Sequence, residues 1–288
     1  MNVSVILPAR SSDEQQLASC LAGIQAQRYD AGRIEVLVVQ YDGGATIKIP
    51  LSAAHQVMVL VVDHSSPYAA RNLGASQATG DVFLFTEPDC VPEPEWVRAH
   101  IDRLRASTVT IGVGRVAPAR TTRLLELFLS YEDMRDAWVF SGPRWQYYFG
   151  RPRNMAVARH RFETHGPFAE VARGGDSKLV QRVARELSCD EIASTPAAIV
   201  RQASIRGLPS LLRDRFRHGY ALEIHQSAHA APVAFADRNQ LLRETVRIQR
   251  YGPLKTAVLR LLLSVGILTF RGGGWTGKVC RSVAARRH

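Results

Sequence analysis

Short apolar runs alternate with helix-like segments through the first ninety residues of the chain. The run at residues 3–7 is followed by Leu17, Cys20, Leu21 and Ile24 at helical spacing, and then by a second run at 36–39. That order predicts a β-α-β beginning. Ser12 and Gln15 have the form of a capping box and place the first helix just after Pro8-Ala9-Arg10. A third run, 57–62, precedes an Ala-rich helical segment at 68–78, and a fourth, 82–85, ends at Thr86-Glu87-Pro88-Asp89. Strands that alternate with helices predict an α/β fold with a mostly parallel sheet. Ligands of such sheets bind beyond the carboxyl ends of the strands, where Arg10, residues 40–44 and residues 87–89 emerge.

Beyond Arg201 the pattern becomes helical, as LLRDRFRHGYALEIHQ and LLRETVRIQ with a looser Ala/Pro stretch at 228–236 between them. Phe128, Tyr131, Trp138, Phe140, Trp145, Tyr147, Tyr148 and Phe149 crowd the middle of the chain, as core or as a platform for a sugar or a lipid. The apolar run 261–270 is shorter than the roughly 20 residues that span a bilayer, and Arg260 and Arg271 bracket it. It is expected to lie in a headgroup region or to pack on the domain.

Composition changes this picture in one respect. The net charge of +11 would suit a nucleic-acid binder, but nine basic residues and no acid lie between Thr245 and His288, leaving +2 for the rest. Those nine are Arg247, Arg250, Lys255, Arg260, Arg271, Lys278, Arg281, Arg286 and Arg287. A near-neutral body with a basic tail fits peripheral association with an anionic membrane better than a nucleic-acid footprint, so no nucleic-acid partner is expected. The 288 residues, 46% of them hydrophobic, suffice for a large core. Cys20, Cys90, Cys189 and Cys280 are too scattered for a zinc site or a disulfide framework. The start, MNVSVILPAR, has no basic leader or cleavage site, so a cytoplasmic location is expected.

Five ordered segments resemble the family 2 glycosyltransferases over residues 2–225. They are VSVILPAR, ARNLGASQATGDVFLFTEPDCVPEPEW, RNMAVARHRFETHGPF, GGDSKLVQRV and RDRFRHGYA. The resemblance implies a Rossmann-like GT-A domain over residues 1–225, its mostly parallel central sheet flanked by helices, with a basic, partly apolar helical extension over 226–288. It implies an inverting transfer from a nucleotide diphosphate sugar, UDP-sugar by default, to a hydroxyl of a glycan or a lipid-linked acceptor. Pro8, Ala9, Arg10, Gln40, Asp42, Arg71, Asn72 and Glu87 would then meet the donor, and Asp89 would hold Mg²⁺ or Mn²⁺ at its D-x-D position. Asp176 would be the catalytic base, with Asn154 toward the acceptor and Arg213, Arg217 and His218 toward the leaving group.

The chemistry explains these residue types. A departing diphosphate gathers negative charge that a divalent ion neutralises. An attacking hydroxyl must also lose its proton to a carboxylate within reach. Three positions depart from the family pattern: Gln40 where an acid is usual with Asp42 two places on, Glu87 for the first Asp of D-x-D, and Gly175 for the Glu before the base. They leave open a non-catalytic nucleotide-sugar or partner-binding protein. Asp176 could also be only the N-cap of the helix that begins at Ser177. A sugar nucleotidyltransferase would carry a Gly-rich loop after the first strand, and residues 8–12 contain no glycine. The Gln-x-x-Arg-Trp motif of processive synthases is missing too, so transfer of one or a few sugars is expected.

Overall fold

Continuous β-branched and aliphatic runs form strands because both faces of a parallel sheet are covered, and they dominate the first half of the molecule. The computed structural model describes residues 1–49, 56–63, 66–171, 174–224 and 238–285. In chain order the elements are β1 (Val3–Ala9), α1 (Glu14–Gln25), β2 (Ile34–Gln40), β3 (Gln56–Val61), α2 (Pro67–Gln77), β4 (Val82–Thr86), β5 (Cys90–Pro92), α3 (Trp96–Arg105) and β6 (Ile111–Pro118). They continue as α4 (Arg123–Val139), β7 (Asn154–Ala158), α5 (Arg159–His165), α6 (Gly175–Glu186), β8 (Ile192–Gln202), α7 (Leu208–Ile224), α8 (Arg238–Ile248) and α9 (Pro253–Ala285).

The strands make one sheet in the order β3-β2-β1-β4-β7-β6-β8-β5. β3, β2, β1 and β4 run parallel, as the alternation predicts, whereas β7 pairs antiparallel with β4 and with β6. The sheet is therefore mixed. The β4–β7 register sets Thr86 opposite Asn154, which brings Glu87 and Arg153 to the same end of the sheet. In the single turn Ser11–Asp13 that leads into α1, the Asp13 carboxylate accepts from the Arg10 backbone N–H at 2.9 Å, whereas α1 itself has no side-chain cap and the expected Ser12–Gln15 pair does not form one.

The described residues divide into two units. The first holds residues 1–49, 56–63, 66–117, 140–170 and 174–203, with a core of Val5, Leu7, Leu17, Ile24, Val36, Val38, Leu84, Trp96, Ile101 and Val200. The second holds 118–139, 171, 204–224 and 238–285, and its core joins Leu127, Phe128 and Tyr131 of α4 to Leu241 and Leu242 of α8 and to Leu259, Leu262 and Leu263 of α9. The aromatic cluster of the sequence is thus divided by packing. Phe128 and Tyr131 fill the second core with Trp138 against it, while Phe140 packs on Tyr148 and Phe149 at 5.1 and 5.2 Å. The Ala/Pro stretch at 228–236 lies outside the described residues.

One expectation is extended and one changes. The apolar run 261–270 is the middle of α9, and 28 of that helix's residues, Pro253–Cys280, are long and apolar enough to cross a membrane by length and composition. Asn154, expected near the acceptor, is wholly buried. Its Nδ2 donates to the Arg115 and Ala198 carbonyls at 2.8 Å, and its Oδ1 accepts from Trp96 Nε1 at 2.7 Å. An amide so fully engaged ties three strands to α3 and has nothing left for a substrate.

His100 adds its Nε2 to the same Asn154 oxygen at 2.8 Å, while its Nδ1 is buried without a partner. Protonation would place an unmatched N–H there, and burial lowers the His100 pKa from 6.5 to about 4. The unfolded chain therefore binds the proton more readily than the folded one. Stability is fully present above pH 6.5 and falls as pH drops toward 4, by up to about 3 kcal/mol. His100→Gln should flatten that decline in urea titrations at pH 6.5, 5 and 4; an unchanged slope would dismiss His100 as its source.

Candidate active site

The carboxyl ends of β1, β2 and β4, the start of α2 and the start of α6 supply the polar residues of the first unit. At the end of β4, the Glu87 carboxylate bridges two guanidinium groups, taking Arg71 Nη2 at 2.9 Å and Arg153 Nε at 2.8 Å. Arg71 is almost fully buried in α2, stacked 5.5 Å from the Tyr68 ring, with its Nη1 on the Pro67 carbonyl at 3.3 Å. The two arginines hold the Glu87 pKa below the ordinary carboxylate value against the opposing effect of burial.

From this bridge the contacts run both ways. On one side the Tyr68 hydroxyl, one turn before Arg71, donates to Asp176 Oδ1 and accepts from the Gly174 N–H at 3.2 Å. Burial and the Asp176 charge push the Tyr68 pKa well up, so it stays a donor. On the other side Arg153 Nη1 reaches Gln202 Oε1 at 3.4 Å, and Gln202 Nε2 donates to Asp89 Oδ2 at 3.0 Å. Asp176 and Asp89, 87 positions apart in the sequence, are therefore joined by one line of side chains: Tyr68, Arg71, Glu87, Arg153 and Gln202.

Asp176 is buried in the first turn of α6, whose N-cap is Gly174 at φ 81°, a left-handed conformation that glycine adopts without strain. The N-cap reading of Asp176 is thus corrected: the carboxylate sits inside the helix end, accepting from Tyr68, where the helix dipole favours an anion. Asp89 sits just before β5, half-buried.

The loops after β1 and β2 are sewn together. Asp42 accepts from Ser11 N at 2.9 Å and Ser11 Oγ at 2.6 Å, and these hydrogen bonds hold its pKa down to about 2. Arg10, exposed beyond the buried Pro8 and Ala9, donates from Nε to the Tyr41 hydroxyl at 2.9 Å. Gln40 is wholly buried: its amide nitrogen donates to the Gly44 and Ala45 carbonyls at 3.0 Å, and its oxygen accepts from Ile47 N at 2.9 Å. This overturns the expectation that Gln40 offers its amide to a base edge. Asn72 is likewise committed, clamping the Phe168 backbone with its Oδ1 on the N–H and its Nδ2 on the carbonyl, both at 2.9 Å. It fixes the loop before α6 instead of meeting the donor. Arg213, Arg217 and His218 are exposed on α7 of the second unit.

Tyr68, Arg153 and Gln202 are the participants that sequence reasoning missed. Nothing local marks Arg153, because its role follows from the pairing of β7 beside β4, which only the structure shows.

Residues 4–167, more than half of the chain, match the family model described as glycosyl transferase family 2. The chain belongs to that family. The curated glycosyltransferase AglE of Haloferax volcanii is 30% identical over 231 residues, covering 75% of this chain and 71% of the relative. Among solved structures, the mannosyltransferase PcManGT of Pyrobaculum calidifontis, in complex with GDP-Man and Mn²⁺, aligns with a TM-score of 0.56 at 17% identity, covering 92% of this chain and 75% of that one. S. aureus TarS 1–349 aligns at 0.53 and 12% identity, covering 96% and 91%. At such identities the likeness establishes the shared GT-A fold.

Within the family pattern, Gly175 has a steric explanation. A Cβ there would lie 2.4 Å from the Ala169 carbonyl oxygen and 3.1 Å from the Tyr68 ring, so the usual Glu has no room while Tyr68 holds Asp176. Metal chemistry is similarly constrained. Glu87 is committed to two arginines, and among the described residues no group of three or more His, Cys, Asp or Glu side chains is placed to hold an ion. Asp89 remains as a single carboxylate, and Mg²⁺-type ions commonly take one carboxylate and complete their shell with substrate phosphates and water. The donor set therefore fits an ion held jointly with a diphosphate.

Proposed function

We propose that this chain is an inverting, non-processive glycosyltransferase that moves a sugar from a nucleotide diphosphate donor, UDP-sugar by default, to a hydroxyl acceptor. The observation that carries this reading is the line of contacts from Asp176 to Asp89. It gathers one candidate base and one candidate ligand for the diphosphate's ion at one end of the sheet. Bound with the donor, Mg²⁺ or Mn²⁺ at Asp89 would neutralise charge on the leaving diphosphate. The same element is consistent with PcManGT, whose structure holds GDP-Man and Mn²⁺.

Asp176 is the residue that takes the acceptor proton. As the acceptor oxygen forms its bond to the anomeric carbon, its hydrogen passes to the carboxylate, and the bond to the diphosphate breaks with its electron pair leaving on the phosphate oxygen. Tyr68 holds Oδ1, so the carboxylate is oriented before the acceptor arrives. Arg71 and Arg153 place positive charge beside the donor end of the sheet while Glu87 keeps them in register. The acceptor class we infer is a glycan or a lipid-linked hydroxyl, in cytoplasmic polysaccharide or glycolipid synthesis. The saturated Gln40 amide and the paired Glu87 favour one competing reading, a domain that binds a nucleotide sugar without transferring it.

A screen of nucleotide sugars for Mn²⁺-dependent donor hydrolysis separates the two, because a binder hydrolyses none. Asp89→Ala should abolish metal-dependent donor binding in calorimetry, and Asp89→Asn, which can keep the Gln202 contact, should do the same. If either binds a nucleotide diphosphate with Mn²⁺ as tightly as the parent, Asp89 is not the ligand.

A further inference from the structure

α9 presents two different apolar faces. Its inner face is fixed by protein: Leu259, Leu262 and Leu263 are buried in the second core, and Gly219 of α7 meets α9 backbone to backbone. A Cβ on Gly219 would lie 2.0 Å from the Phe270 carbonyl oxygen, and one on Gly273 would lie 2.0 Å from that of Phe216. Any larger residue would force the helices apart, so the orientation of α9 about its axis is set by this packing.

The outer face is the anomaly. Leu254, Leu261, Leu268 and Trp275 are 79%, 63%, 67% and 71% exposed, and they recur every seven residues, which keeps them on one line drifting only ~20° per repeat. Beside that line Arg260, Arg271 and Lys278, spaced by eleven and seven, form a second, also exposed. No acid occurs anywhere in α9. An apolar stripe of this length is rare on a surface that meets only water, and a parallel basic stripe selects what covers it.

We propose that α9 lies flat in the interface of an anionic bilayer, with Leu254, Leu261, Leu268 and Trp275 in the acyl boundary and Arg260, Arg271 and Lys278 on lipid phosphates. This goes beyond the transfer reaction and does not depend on it. A flat helix satisfies both stripes at once, and a Trp at such a boundary keeps its indole N–H among the headgroups. A spanning helix satisfies neither. It would carry Arg271 into hydrocarbon, and its uncharged stretch between Arg260 and Arg271 is ten residues, half of what a bilayer requires.

The test uses the full chain with vesicles of phosphatidylcholine alone or mixed with phosphatidylserine. Sedimentation should show binding to the anionic vesicles, weakening as salt rises. Replacing Arg260, Arg271 and Lys278 together by Gln should lower the affinity about a hundredfold, roughly fivefold per charge. Leu261→Gln with Leu268→Gln should abolish binding while circular dichroism and the unfolding midpoint stay at the parent values, because both side chains are exposed. Trp275 emission should shift blue on anionic vesicles and be quenched by brominated lipid, with Trp275→Phe as the blank. Equal binding to neutral vesicles, or no binding to either, overturns the proposal. So does resistance to alkaline carbonate extraction, which would mean spanning. A dimer that the Leu261 and Leu268 substitutions dissociate, without vesicle binding, would assign the stripe to a second copy of this chain.

Discussion

Replacing Asp176 with Asn is expected to cut sugar transfer by roughly 10²-fold or more while donor affinity changes little. The expectation rests on what the substitution keeps. Asn can still accept the Tyr68 hydroxyl at its Oδ1, it suits the first turn of α6, and it fills the same buried volume. What it loses is the capacity to take a proton. A residue that merely secured α6 would instead show a lowered unfolding midpoint, with donor affinity and transfer falling together. Calorimetry of donor binding alongside initial transfer rates therefore separates the roles: a variant that transfers at the parental rate removes Asp176 as the base. Tyr68→Phe serves as the companion variant. It withdraws the donor without touching the carboxylate, so a smaller fall in rate at unchanged donor affinity marks Tyr68 as a positioning residue.

The strands were legible because buried parallel strands are written as unbroken apolar runs, and the five motif segments follow one another along the chain as their elements do. The antiparallel join of β4 to β7 was not, since nothing local in NMAVA distinguishes it from another parallel strand. Candidate site residues divide by how far their partners lie along the chain. Asp42 meets Ser11 in the neighbouring loop, as the β1–β2 adjacency implies. Gln40 and Asn72 look available in a sequence because nothing shows that backbone groups will consume both ends of their amides. Tyr68 is invisible for the opposite reason: its one decisive contact is to a residue 108 positions away. Gly175 read as a departure from the family's Glu, and the structure gives it a steric cause in the approach of Ala169 and Tyr68. The short apolar run near the C-terminus showed only the middle of α9, because glycines at 272–274 and Arg271 interrupt the hydrophobic pattern without interrupting the helix, whose backbone bonds are indifferent to that pattern.

Glu87→Gln should destabilise the first unit by up to about 3 kcal/mol, the low end of the range for removing one partner of a buried ion pair, because Arg71 is buried while the Glu87 side chain is 26% exposed. Arg71 is 2% exposed, its Nε has no partner, and its charge is met by one carboxylate oxygen at 2.9 Å. A neutral amide would leave that guanidinium charged and desolvated, and Arg153 would lose its ion pair with Glu87 in the same step while keeping Gln202. Glu87→Asp provides the informative contrast. It restores the residue most family members carry and keeps the charge, but one methylene less of reach leaves it able to hold one arginine where Glu holds two. Its cost should fall between those of Gln and the parent. The coupling can be measured directly. If the pair is the cause, Arg71→Met combined with Glu87→Gln should cost clearly less than the sum of the two single changes, because the double variant no longer buries an unpaired charge. Denaturant unfolding followed through Trp96, which lies in the core of that unit, reads the parent and all four variants. Additive losses would mean that Glu87 and Arg71 act separately, and the line of contacts joining Asp176 to Asp89 would then be a coincidence of packing with no energetic connection.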